Sequence, residues 1–137
     1  MSRTATEALI VSYFAALNSG DTAAVLALLH EDVVHDINQG AREIGRDKFR
    51  WFLATAGAHF EERATDIVVM SSPDGMRGAA EYTLKGAYIA SLAGLPKANG
   101  QRYALTVGTF FEVDEGRITR VSTLFNRADW LAQIGEE

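Results

Sequence analysis

The residue best suited to acid/base chemistry is Asp36. Asp36 lies inside a short run with strand character, residues 33–38. An ionised carboxylate is costly to bury among apolar side chains, so Asp36 is either exposed on an edge strand or held in a pocket for chemistry. Side chains alternate along a strand, so Asp36 faces inward if Val34 does, and His35 then faces the other way. Tyr13 lies on the apolar stripe of a predicted helix, as a core aromatic or a hydrogen-bond donor.

Other reactive groups are few. The chain has no cysteine, which excludes disulfides, thiolate nucleophiles and cysteine-based metal sites. The histidines His30, His35 and His59 show no ligand spacing, so we expect no metal and no other cofactor. A net charge of −5 without a cluster of Lys and Arg argues against nucleic acid as a partner.

Length and composition indicate one domain, residues 1–137. Hydrophobic residues make up 47% and charged residues 23% of the chain, as is typical of globular proteins. No window is apolar for long enough to span a bilayer, and residues 1–7 contain no basic run before an apolar core. We therefore expect no membrane association, no signal peptide and a cytoplasmic location.

Helical spacing of apolar residues predicts three N-terminal helices. The first covers residues 4–18, the second follows a cap at Asp21 or Thr22, and the third covers about 46–59. Trp51 lies off the apolar stripe of the third helix, so it lines a pocket mouth at most.

After His59, the spacing of apolar residues changes from the helical period to the alternation of a strand. Strands over 62–71 and 77–85 flank one turn, strands over 102–113 and 117–126 flank another, and a short helix over 129–134 follows. Helices followed by a meander of strands indicate an α+β class. The irregular stretch 86–100 between the two hairpins is apolar enough to act as a lid.

Residues 7–40 resemble the opening of bacterial ketosteroid isomerases of the NTF2-like superfamily. The resemblance rests on Tyr13 to Asp21, Val25 to Val33 and Asp36. It implies an NTF2-like cone, in which three N-terminal helices pack on a strongly curved, mainly antiparallel sheet around a cavity. It also implies that Asp36 is a general base and that Tyr13 donates a hydrogen bond to an enolate oxygen.

Three later segments, Gly86 to Tyr88, Gly94 to Arg102 and Phe110 to Ile118, resemble the SnoaL-like polyketide cyclases of the same superfamily. In that branch a carboxylate near the end of the last strand carries the acid/base step, and Asn126 stands there in this chain. The second acid of the ketosteroid isomerases is replaced by Gly108 or Thr109.

Residues expected to face the cavity or its mouth form the candidate pocket lining. They are Phe14, Val34, Asn38, Trp51, Phe52, Tyr82, Tyr103, Thr109, Phe111, Thr123, Phe125 and Asn126.

Two hypotheses for function follow. The first is an acid/base proton-transfer enzyme, of isomerase or cyclase type, on a small hydrophobic carbonyl compound. It predicts a raised Asp36 pKa in a closed apolar cavity. The second is a non-catalytic module of the NTF2-like fold for small-ligand binding or assembly, with Asp36 exposed or paired with Arg42 or Arg46. Under either, we expect a homodimer, because the second face of strand 102–113 is apolar.

Overall fold

The computed structural model describes residues 2–38 and 40–135, and its helices lie together on one sheet. The elements in chain order are α1 (Arg3–Ser19), α2 (Thr22–Ala27), β1 (Leu29–Ile37), β2 (Glu43–Ile44), α3 (Arg46–His59), β3 (Phe60–Ser71), β4 (Arg77–Tyr88), β5 (Gln101–Asp114), β6 (Arg117–Leu124) and α4 (Arg127–Gly135). This order confirms the predicted α+β class.

The helix ends follow from local sequence. The Ser2 hydroxyl caps α1 by accepting a hydrogen bond from the Ala5 backbone N–H at 3.0 Å. Gly20 ends α1 in the left-handed region at φ 71°, which glycine adopts without a Cβ clash. The Asp21 carboxylate then caps α2 through the Ala24 N–H at 3.0 Å. These signals confine the turn between the helices to Gly20 and Asp21.

The six strands form one sheet in the order β2-β1-β6-β5-β4-β3. β1 pairs with β6 in parallel, and every other neighbouring pair is antiparallel. β5 shows the predicted alternation, since every second residue from Tyr103 to Val113 is buried: Tyr103, Leu105, Val107, Thr109, Phe111 and Val113. We call this helix-covered side the inner face and the side that carries Phe110 the outer face.

The face assignment of β1 differs from the expectation. Val33 and His35 are buried on the inner face, whereas Val34 and Asp36 lie on the outer face. Two adjacent valines make the alternation ambiguous, and the register against β6 shifts between Leu29 and Val34. A shift of one residue turns every side chain of a strand to the opposite face.

β2 and the end of β4 were not predicted. β2 is a two-residue strand that pairs Ile44 with Val34. β4 continues to Tyr88 because its last residues pair with both β3 and β5. The irregular segment is therefore 89–100, and the Tyr88 hydroxyl ties it down by donating to the Pro96 carbonyl at 2.7 Å and accepting from the Leu92 N–H at 2.8 Å.

Within the described ranges, no helix combines the length and the apolar character that crossing a membrane requires.

Candidate active site

The centre of the inner face is an aromatic cluster between α1 and the sheet. Tyr13 and Phe14 of α1 are 5% and 2% exposed. The Tyr13 ring lies edge-on to Phe111, with centroids 5.3 Å apart, and the Phe14 ring lies 4.8 Å from that of Tyr82. Edge-to-face contacts of this kind fix ring orientation as well as burying area. Residues on α1, β4 and β5 therefore hold the two phenols.

The hydroxyl groups of this cluster form a partial chain. The Tyr82 hydroxyl lies 2.8 Å from Thr109 Oγ1, which lies 3.3 Å from Thr123 Oγ1. Burial raises the pKa of Tyr13 and of Tyr82, so both phenols stay protonated at neutral pH. The interior thus contains neutral hydrogen-bond donors.

Asp36 lies outside this interior. It pairs with Ser122 of β6, which in turn pairs with Phe110 of the outer face. Arg42 donates two hydrogen bonds to its carboxylate, at 2.7 and 3.0 Å, and the Ser122 hydroxyl donates a third at 2.8 Å. The expected arrangement of Asp36 across one cavity from Tyr13 is therefore contradicted. Pairing with Arg42 is what the module hypothesis predicts.

The electrostatics of Asp36 also differ from the expectation. The hydrogen bond from Arg42 is the largest influence and lowers the pKa of the Asp36 carboxyl, and Ser122 and the Arg120 charge act in the same direction. Partial burial opposes them. Arg120 also hydrogen-bonds Ser122 and forms an ion pair with Glu112. Asp36 thus belongs to an outer-face polar network and stays ionised, rather than being a desolvated base.

His35 takes the inward position next to Asp36. It is 4% exposed, stacks on Phe49 with centroids 4.3 Å apart and meets the Phe52 ring edge-on at 4.7 Å. Its Nδ1 is buried without a hydrogen-bond partner among the described residues. Burial lowers the pKa of His35 to about 4, against the opposing charge of Asp36. The imidazole is neutral at physiological pH.

The other expected lining residues divide into two groups. Phe14, Phe52, Tyr82, Tyr103, Thr109, Phe111, Thr123 and Phe125 pack between the sheet and the helices. The remaining four have other positions: Val34 is on the outer face, Trp51 is 74% exposed, the Asn38 amide accepts from the Phe125 N–H at 2.9 Å, and the Asn126 amide caps α4 through the Asp129 N–H at 3.0 Å.

A second carboxyl group, Glu62, was missed from the sequence. The Tyr103 hydroxyl donates to Glu62 Oε2 at 2.5 Å. The two residues are on β3 and β5, and the Tyr103 ring crosses Gly86 of β4 to reach the carboxylate. A Cβ at Gly86 would lie 2.3 Å from Tyr103 Cζ, so this crossing requires glycine. The signal for Glu62 is alternation with Phe60, which faces inward against Tyr88.

Aromatic side chains surround this pair at the end of the interior next to α4. Trp130 lies 6.1 Å from Tyr103 and 5.6 Å from Phe60 between ring centroids, and Phe125 lies 6.0 Å from Trp130. Glu62 is an exposed residue, although the Tyr103 hydroxyl covers one oxygen of its carboxylate. Desolvation of its carboxyl nevertheless raises the Glu62 pKa, and the Tyr103 hydrogen bond opposes that shift. Glu62 therefore accepts and holds a proton more readily than Asp36 does.

A hollow of about 610 Å³ adjoins this end of the sheet. Glu62, Gly86 and Tyr103 are among its lining residues, but most of the lining lies on the outer face: Glu61, Arg63, Lys85, Ala87, Arg102 and Ala104. In the described part of the chain, no three side chains of His, Asp and Glu lie close enough together to hold a metal ion.

Comparison with known proteins decides the family. The sequence model of the family described as the SnoaL-like domain matches residues 10–121 of this chain. The chain belongs to this family. Its fold is that of the NTF2-like proteins, as the resemblance predicted. No curated protein matches the chain in sequence.

Three solved structures illustrate the range of this SnoaL-like protein's neighbours. A proposed polyketide cyclase from Xanthomonas campestris pv. campestris is 46% identical, with a TM-score of 0.95 over 96% of this chain and 98% of that one. Another from Pseudomonas putida KT2440 is 47% identical, with a TM-score of 0.93 over 98% of each chain. An LEH-like epoxide hydrolase from M. tuberculosis shares the fold, at 23% identity and a TM-score of 0.72 over 96% and 90%.

Proposed function

We propose that this SnoaL-like protein is an acid/base proton-transfer enzyme, of isomerase or cyclase type, acting on a small hydrophobic carbonyl compound. The observation that carries the proposal is the pair of protonated phenols, Tyr13 and Tyr82, in the aromatic interior. An enolate oxygen that forms in apolar surroundings is stabilised by donors already fixed in place. The two relatives described as proposed polyketide cyclases support this reaction class.

Hydrogen exchange of a simple ketone tests the proposal without a natural substrate. In D2O, 2-tetralone exchanges its α-hydrogens only if a proton is removed and returned, and proton NMR follows the loss of signal. The wild-type protein should accelerate exchange above the buffer rate. Tyr13→Phe should reduce that acceleration by about a hundredfold, as expected for loss of one oxyanion donor. A wild-type protein that leaves exchange at the buffer rate would reject the proposal.

The second candidate is a non-catalytic module that binds a small hydrophobic ligand. The hydrogen bonds between Arg42 and Asp36 favour it, because they commit the carboxylate of the expected base. The planar phenol 2-naphthol resembles the enol of 2-tetralone and reports binding through its fluorescence. Saturable binding of 2-naphthol, together with 2-tetralone exchange at the buffer rate, would favour the module over the enzyme.

We also propose that a second copy of the chain covers the outer face. Five large apolar side chains are exposed there: Ile44 and Val68 at 57%, Met70 at 49%, Phe110 at 45% and Leu124 at 44%. Apolar groups clustered on one side of a sheet commonly mark an interface, and closed homodimers are the commonest assembly.

Light scattering after size-exclusion chromatography tests this homodimer. The wild-type mass should be twice the 14.9 kDa of one chain. Phe110→Glu should shift the protein to the monomer, because it would bury an unpaired charge. Trp51→Glu is the matched control, since Trp51 is 74% exposed on α3, away from the sheet. A monomeric wild-type protein would refute the assembly.

A further inference from the structure

We infer that Glu62 is the group that removes and returns the proton, and that Tyr103 is the positioning residue that holds it. The inference rests on the proposed proton-transfer function and supplies the base that Asp36 does not provide.

The position of Glu62 on the inner face of β3 supports this assignment. Across β3 to β6, which the structure describes in full, the paired inward positions carry one carboxyl group, that of Glu62. Tyr103 occupies Oε2, and Oε1 has no hydrogen-bond partner among the described residues. Nor does any Lys or Arg of the described ranges form an ion pair with this carboxylate. One oxygen is thus held in place and the other is available to a ligand.

The carboxyl group and the phenols share one side of the sheet. The Glu62 charge is close enough to Tyr82 to contribute to the raised pKa of its phenol. Tyr82 contacts Phe14, which lies 5.3 Å from the Tyr13 ring. The proton acceptor and the hydrogen-bond donors therefore lie on the same side of the sheet, whereas the sheet separates the Asp36 carboxylate from both phenols.

The reaction step balances without a further reactant. The Glu62 carboxylate takes a proton from the carbon next to the ligand carbonyl: the C–H bond breaks and an O–H bond forms on Glu62. The electron pair moves into the enolate, whose oxygen accepts a phenol hydrogen bond. Glu62 then returns the proton to carbon. Phe60, Tyr88 and Trp130 surround the pair, so the geometry favours a ligand with an apolar ring or chain.

The 2-tetralone exchange assay tests this assignment with a closely matched control. Glu62→Gln keeps the side-chain shape but cannot accept the proton, so exchange should fall by about a hundredfold or more. Glu61→Gln removes the neighbouring carboxylate, which pairs on the opposite face with Ala87, and should keep the wild-type rate. Circular dichroism melting of each variant checks folding.

The outcomes distinguish the two proposals. Exchange at the buffer rate in the wild type rejects the proposed function. If the wild type accelerates exchange and Glu62→Gln keeps the wild-type rate, the assignment to Glu62 is rejected and the proposed function stands. The same conclusion follows if Asp36→Asn abolishes exchange and Glu62→Gln does not.

The pH profile of exchange tests the role of Tyr103, and it also tests Glu62 if Glu62→Gln fails to fold. The active form requires an ionised Glu62, so the rate should fall in acid. The Tyr103 hydrogen bond lowers the Glu62 pKa, so Tyr103→Phe should move the acid limb to higher pH while exchange continues above it. If Tyr103 has only a structural role, Tyr103→Phe should change the exchange rate without shifting the acid limb of the pH profile. That result would reject the positioning role.

Discussion

Asp36 on β1 and Glu62 on β3 are both strand carboxylates, yet their surroundings are opposite. Asp36 accepts hydrogen bonds from Arg42 and Ser122 on the outer face, and its pKa is lowered. Glu62 accepts one from the Tyr103 phenol among inner-face aromatics, and its pKa is raised. Partners and desolvation, rather than residue type, therefore decide which carboxyl is suited to exchange a proton.

The largest effect on the free energy of unfolding should come from protonation of His35, the inward neighbour of Asp36. Its pKa falls from 6.5 in the unfolded chain to about 4 in the fold, so protonation favours unfolding. Neutral His35 therefore contributes its full stabilisation above about pH 6.5. This contribution is lost as the pH falls to about 4, and the total loss is roughly 3 kcal/mol.

Urea unfolding at a series of pH values measures this loss. His35→Leu should remove most of the dependence between pH 6.5 and 4, while His30→Leu, at an exposed histidine, should retain it. An unchanged dependence in His35→Leu would show that His35 is not the group that titrates.

An intermediate effect should follow from Gly86→Ala, which sharpens the comparison at the Glu62 side. The new Cβ would meet the Tyr103 ring at 2.3 Å, so the ring must move, at a cost of about 1–3 kcal/mol. Gly108→Ala is the matched control in β5, because its Cβ would meet only Phe110 at 3.8 Å. Thermal melting of both variants checks the difference, and equal melting temperatures would contradict the crossing of Tyr103 over Gly86.

The smallest effects should have opposite signs at the two carboxylates. The Asp36 pKa is lowered, so its stabilisation is present above its ordinary value of 3.8 and is lost as the pH falls through the folded value. The Glu62 pKa is raised above 4.5, so its contribution is favourable when protonated and is lost as the pH rises through the folded value.

Asp36→Asn should therefore destabilise the protein at pH 7, and Glu62→Gln should stabilise it slightly. Both differences should fade in acid and stay within about 1 kcal/mol, because solvent screens both groups. Chemical denaturation at pH 7 and pH 3 measures them. Differences of the same sign at pH 7 would break the contrast between the two carboxylates.

Much of the scaffold could be predicted from local sequence. Gly20 and Asp21 fixed the junction of α1 and α2, and the alternation of β5 correctly placed Thr109 and Phe111 on the buried face. Asp36 was misplaced because Val33 and Val34 are both apolar, so neither face is favoured. Glu62 was missed because residues 61–63 are all charged, which is typical of a solvated segment.

By itself, the sequence determined the helices, the junction of α1 and α2, the long alternating strands and the family, because each depends on neighbouring residues or on a run of matched positions. Only the tertiary structure decided which carboxylate faces the aromatic interior. The register of β1 against β6 turned Asp36 outward, and the pairing of β3 with β4 and β5 brought Glu62 to Tyr103 across Gly86. Such pairings join residues far apart in the chain, and a one-residue offset reverses the faces.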